Sequence, residues 1–149
     1  MITKYKHQRG FTLIELLLAI TIIFILAGLS TPFYARFLNQ TSVIAVEDQL
    51  VGQLRKAQTY AGAGRQGSDW GVYIGPVSII LFRGTSYAQR VIAFDETFTH
   101  ANSISTTGIT EVVFTHPAGI PSTTGSISVS GLGNTRTITI NSEGSISRQ

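Results

Sequence analysis

The stretch "RGFTLIELLLAITIIFILAGLSTP", residues 9–32, decides the fold. From Phe11 to Leu29 nearly every side chain is apolar, yet an acid, Glu15, stands near the start. Nineteen helical residues at about 1.5 Å each cover roughly 28 Å, close to the hydrocarbon thickness of a bilayer. A cleavable secretory signal has a shorter apolar core, about 7–15 residues, and small residues at its cut. Here Leu29 occupies the place where "LAGL" would need a small residue. A core helix of a globular domain would show a polar face, which this run lacks. The run therefore reads as a membrane span. Lys4, Lys6 and Arg9 would hold the N-terminus in the cytoplasm and place everything after Leu29 outside.

Those three bases also account for the net charge. Eleven Lys and Arg stand against eight Asp and Glu, a formal charge of +3. No acid precedes Phe11, so the chain beyond the leader is balanced and does not read as a basic nucleic-acid binder. The absence of cysteine excludes disulfides, thiolate metal sites and a lipidated-cysteine anchor. A chain of 149 residues has room for about one domain and one extra element.

Glu15 needs an account. A charge at the middle of a spanning helix costs about 2.5–3.5 kcal/mol, less near the interface. One account is local: Thr12-x-x-Glu15 fits a capping box, with the carboxylate favoured by the helix N-terminus. The other starts from Gly10-Phe11. A cut there would create a cationic Phe11 amine, a partner for the one acid of the run, within one chain or between neighbours. Both can hold together.

The order of basic leader, Gly10-Phe11-Thr12-Leu13-Ile14-Glu15 and long apolar helix resembles the methylation signal of type IV prepilins and secretion-system pseudopilins. The resemblance implies that a prepilin peptidase cleaves after Gly10 and methylates Phe11, that the helix anchors the subunit in the bacterial inner membrane and later packs in a filament, and that Glu15 pairs with a neighbour's Phe11 amine. It also implies other pilin subunits and an inner-membrane assembly platform as partners, besides membrane lipid. Gly28 and Pro32 fit the same pattern. Proline lacks an amide proton and its ring collides with the carbonyl four residues back, and glycine weakens the helix by roughly 1 kcal/mol relative to alanine. A kink or fraying is expected between them; a restart with Thr31 as cap and Pro32 at the first helical position gives the same break.

Beyond Pro32, Val43, Val46, Leu50, Leu54, Ala57 and Ala61 form one apolar stripe at helical spacing, with Gln40, Glu47, Asp48, Gln53, Arg55 and Lys56 on other faces. "AGAGRQG" ends the helix, Gly62 or Gly64 taking the left-handed cap. Gly62-x-Gly64-x-x-Gly67 matches a dinucleotide loop on paper, but a helix precedes it and strand-like sequence follows, the reverse of what a pyrophosphate site needs.

The remainder reads as strands: "GVYI", "VSIILFR", "AQRVIAF", "TEVVF", "SISVS", "TRTITIN" and "SISR", separated by Gly- and Pro-rich turns. Ile127, Val129, Ile138 and Ile140 alternate with Ser and Thr, giving one packed and one wet face. Trp70, Tyr73, Phe82, Phe94 and Phe114 would supply bulk against the helix stripe. The expected fold is α+β and pilin-like: a leader at 1–10, a membrane or filament-core helix at 11–31, an amphipathic helix at 32–64 and an antiparallel β-sheet or β-sandwich domain at 65–149. Phe114, Gly119, Ile127, Val129, Arg136, Ile138, Ile140, Gly144 and Ile146 also resemble the C-terminal pattern of H-type minor pseudopilins and their pilus relatives.

Catalysis finds no support. His100 and His116 lack an acid-rich neighbourhood for a metal, "GPVSI" is no nucleophile elbow, and adjacent Asp95 and Glu96 would diverge in a strand and read better as a solvated turn. The Asn39-Gln40-Thr41 sequon is given no role. No cofactor, metal or small-molecule substrate is expected. The functional expectation is a minor subunit of a type IV pilus or type II secretion pseudopilus. The alternatives are a DNA-binding minor pilin, with Arg65, Arg83, Arg90, Arg136 and Arg148 as candidate contacts, and a plain signal-anchored membrane protein.

Overall fold

A computed structural model of the chain describes residues 10–149, with the backbone alone for 29–37 and 39. It divides into two compact units, one reaching to Phe37 and one spanning Leu38–Gln149. The helix α1, Leu13–Gly62, has residues in both. Helical backbone is assigned through Gly28 and Pro32 alike; the Pro32 and Asn39 side chains lie outside the described residues.

In the second unit the expected stripe is the buried one: Val43, Val46, Leu50, Leu54, Ala57 and Ala61 all lie in the core, joined by Val51. The helix closes with Ala63 N–H on Thr59 O, after which Gly64 turns left-handed at φ 65°. A Cβ there would come within 2.9 Å of the His116 ring, so glycine answers both the dihedral and the space.

Among the described residues nine strands follow: β1 Trp70–Ile74, β2 Ser78–Arg83, β3 Glu96–Thr99, β4 Ser105–Gly108, β5 Glu111–Thr115, β6 Ile120–Pro121, β7 Gly125–Gly131, β8 Asn134–Ile140 and β9 Ile146–Arg148. They form two antiparallel sheets, ordered β3-β2-β1-β5-β6 and β4-β7-β8-β9. Trp70, Val72, Ile79, Leu81, Val112 and Phe114 of the first sheet share one core with Ile127, Val129, Ile138 and Ile140 of the second and with the helix stripe. The strand period of two sends these residues inward and their neighbours outward. Gln58 fastens the helix to both sheets, donating to Gly119 O at 3.3 Å and to Gly144 O at 3.1 Å. This is the α+β, helix-on-sheets architecture expected from the sequence.

Several local expectations need correction. "AQRVIAF" is not a strand. It folds into two 3-10 turns, Tyr87–Gln89 and Ile92–Phe94, because Ser86 Oγ accepts from Gln89 N–H and Tyr87 stacks on Tyr73 at 3.9 Å. The segment lies over the outer face of the first sheet, where Tyr87 N–H donates to Glu111 at 2.7 Å and the Phe82 ring meets Tyr87 edge-on. The Asp95-Glu96 pair is not a solvated turn: Asp95 accepts from Arg90 Nε at 2.8 Å while Glu96 pairs with Lys56. Glu47 and Gln53, assigned to polar faces, are buried. Strands β3, β4 and β6 depart from the sequence reading; they have four, four and two residues, and Glu96–Thr99 has one half-buried residue among exposed ones.

Candidate cleavage and assembly site

The chemistry singled out by the sequence starts at Gly10. Thr12 is the N-cap of the helix. Its carbonyl accepts from Leu16 N–H at 3.2 Å and its Oγ1 accepts from Glu15 N–H at 3.3 Å. This is the threonine half of the capping box, and it satisfies one of the amide donors left over at a helix start. Gly10, Phe11, Thr12 and Glu15 line a shallow open recess. All four are exposed, so the Gly10-Phe11 peptide is open to a protease and the Glu15 carboxylate is open to a cationic partner. Among the described residues a Cβ on Gly10 would meet nothing within 4 Å.

From Phe11 onward the helix buries no side chain until Val43 among those described. Leu13, Ile14, Leu16, Leu17, Leu18, Ile20, Ile22, Ile23, Phe24, Ile25 and Leu26 are all exposed. Soluble monomers rarely present so large a continuous apolar surface, and one this size marks contact with another protein or a membrane. The hydroxyl within it is satisfied internally, Thr21 Oγ1 donating to Leu17 O at 2.7 Å, which removes the main cost of a threonine in an apolar medium. Among the described residues no helix is long and apolar enough to cross a membrane. The side chains of the apolar run are described only as far as Gly28, so Leu29, the last residue of the expected span, lies outside them.

The five arginines considered as DNA contacts separate into two groups. Arg65 lies over the Tyr60 ring at 4.0 Å, Arg83 over Phe94 at 5.0 Å and Arg90 over Tyr87 at 3.8 Å. The Tyr60 and Phe94 rings are joined through Trp70, which meets both edge-on, whereas Tyr87 packs on Tyr73 and Phe82 at the outer face of the sheet. The hydrogen bond to Asp95 raises the pKa of Arg90 above its ordinary value. Arg136 and Arg148 instead face the helix from β8 and β9. Arg136 approaches the buried Glu47 at 4.0 Å, and Arg148 pairs with Asp48 at 2.5 Å. These two join the sheet to the helix. Sequence reasoning missed that role, because nothing in the spacing of Glu47-Asp48, Arg136 and Arg148 announces the pairing. Among the described residues no group of His, Asp and Glu could hold a metal ion.

Comparison with known proteins gives the following. Residues 5–31 match the family model described as the prokaryotic N-terminal methylation motif. The chain is 40% identical over 63 residues to the type IV major fimbrial protein FimA of Dichelobacter nodosus. That similarity covers 42% of this chain and 40% of the relative, so the chain spans about two-fifths of the curated protein it matches. No solved structure matches.

Proposed function

We propose that this chain, whose N-terminal region is that of a type IV pilin, is a minor structural subunit of a type IV pilus or a type II secretion pseudopilus. In this reading the apolar helix anchors the chain in the inner membrane with the leader in the cytoplasm. A prepilin peptidase cuts after Gly10 and methylates Phe11. The helix then moves into a filament, where the amine of a neighbour's Phe11 meets Glu15.

The observation that carries this reading is the uncovered apolar surface of residues 13–26, opening on the exposed Gly10-Phe11 peptide and the exposed carboxylate of Glu15. Fully burying one such Leu, Ile or Phe side chain is worth about 1.5–3 kcal/mol. Eleven of them therefore need lipid first and other helices later. A carboxylate is costly in either setting unless a cation compensates it. The new terminus created by cleavage supplies that cation one turn from the acid, in register with it on any neighbour that is offset by a few residues.

The test is the intact mass of the protein isolated from its native membranes. The expected mass lacks residues 1–10 and carries one added methyl group. A chain that keeps its initiator methionine would refute the proposal.

A further inference from the structure

The sheet β4-β7-β8-β9 turns its charged side chains toward the helix and its hydroxyls toward solvent. In β7 and β8 the residues that alternate with the core Ile127, Val129, Ile138 and Ile140 are Ser126, Ser128 and Ser130, and Thr135, Thr137 and Thr139. The register sets Ser126 across from Thr139, Ser128 across from Thr137 and Ser130 across from Thr135, so all six stand on the face turned away from the core. The flanking strands continue it: Thr107 of β4 lies opposite Ser128, and Ser147 of β9 lies opposite Thr139. Each of these eight residues is exposed or half-buried. The charged residues of the four strands are Arg136 and Arg148. Both stand on the other face, level with Val129 and Ile138, and meet Glu47 and Asp48 of the helix. A charge costs least on a solvent face and has to be paired on a covered one. This sheet has the reverse arrangement.

Hydroxyls fixed on a pleated surface form a lattice, about 4.5–5.5 Å between cross-strand neighbours and about 6.8 Å along a strand. Their hydrogen bonds run within the sheet and are long. Ser126 Oγ meets Thr139 Oγ1 at 3.4 Å, Ser128 Oγ meets Thr137 Oγ1 at 3.4 Å, and Ser147 Oγ donates to Thr139 O at 3.5 Å. A hydroxyl has one donor and two acceptor positions, so each cross-strand pair keeps a donor and several acceptors for a partner. Threonine is stiff at χ1, and both side chain types are short, so little freedom is lost when a partner holds them.

We infer that this face is a binding surface for a neutral polysaccharide lying across β7 and β8. Nucleic acid and anionic lipid are met by Lys and Arg, apolar protein surfaces by aromatic and aliphatic side chains, and divalent cations by carboxylates. These eight positions offer none of those groups. They offer closely spaced uncharged donors and acceptors, and the partner of matching charge and chemistry is an uncharged chain of sugar hydroxyls. Each such hydrogen bond is weak on its own in water, so the ligand that suits the face is a repeating one that engages several at once. The surface lies wholly in the second unit, so the inference does not depend on the N-terminal processing proposed above.

The test is retardation of the full-length chain, in a detergent without a sugar headgroup, on columns of cellulose, chitin, amylose and dextran. Retardation on at least one of them is expected, unchanged in about 1 M salt, where attraction between charges is screened. The double variant Ser128→Ala, Thr137→Val removes the central hydroxyls and nearly keeps the side-chain volumes. It should bind about fivefold or more weakly, the loss of two hydrogen bonds, with an unchanged melt by emission of the buried Trp70. Ser126→Ala, Thr139→Val, one step along the same strands, is the second variant, so a folding defect in either pair leaves the other to decide. Passage through all four columns without delay refutes the inference, as does wild-type retardation of the folded variants. Retardation that salt abolishes assigns the contact to charged groups and refutes it too. Self-association that the variants abolish, without retardation of the wild type, assigns the face to a second copy of the chain and refutes the polysaccharide.

Discussion

Gly71→Ala is expected to destabilise the β domain, and the geometry gives the size of the effect. Gly71 on β1 pairs with Phe82 on one side and Val113 on the other. Its missing side chain would point to the outer face of the sheet. A Cβ there would stand 2.5 Å from Phe82 Cζ and 2.9 Å from Val112 O, against an ordinary carbon contact of about 3.5–4.0 Å. Neither neighbour can retreat cheaply. Phe82 is fully buried beneath Tyr87, and Val112 O belongs to the paired backbone of β5.

Overpacking of this kind costs about 1–3 kcal/mol, offset by about 0.4–1 kcal/mol from the stiffer unfolded chain. A net loss of about 1–2 kcal/mol lowers Tm by roughly 5–15 °C in a domain of about a hundred residues. Trp70 is the only tryptophan and is buried, so its emission reports the transition directly. Phe82→Leu, which withdraws the far edge of the ring, is expected to recover about 1 kcal/mol or more when combined with Gly71→Ala, relative to the sum of the single changes. A Tm of Gly71→Ala equal to wild type, or strict additivity in the double variant, would refute this account of the glycine.

Three further predictions follow from the N-terminal site and the helix surface. Gly10→Leu, at a position with no described neighbour within 4 Å of a Cβ, should leave the leader attached in the membrane fraction by intact mass; normal trimming would count against peptidase recognition. Glu15→Val should insert normally yet be missing from sheared filaments, and filament yield equal to wild type would remove its assembly role. The hydrogen bond with Glu96 raises the pKa of Lys56 above its ordinary 10.5. A raised folded value means that the pair's contribution is complete below that ordinary value and fades as pH climbs through the raised one. Wild type should therefore exceed Lys56→Met in Tm by a constant, salt-sensitive margin at neutral pH that closes only in strongly alkaline buffer; a margin that closes near pH 6 would assign the effect elsewhere.

The parts of the fold that the sequence disclosed are those written in a period. The Val43–Ala61 stripe repeats at three and four, and Ile127, Val129, Ile138 and Ile140 repeat at two; each set lands in the core. Glycine placed the helix cap, because a left-handed residue was needed between the last turn and a strand. What failed were segments whose conformation is decided by a distant partner. "AQRVIAF" has strand composition, but Tyr87 has Tyr73 to stack on and Arg90 has Asp95 to bind, so the chain curls over the sheet and does not extend it. Glu47 reads as a surface acid until β8 brings Arg136 to it.

The candidate site was legible for a different reason. Gly10, Phe11 and Glu15 lie within residues 5–31, the stretch that matches the methylation-motif family model, and a contiguous pattern can be read without any tertiary contact. The arginines show the converse. Five cations looked equivalent as a set, and only the fold divides them, leaving three on aromatic rings and committing Arg136 and Arg148 to the helix.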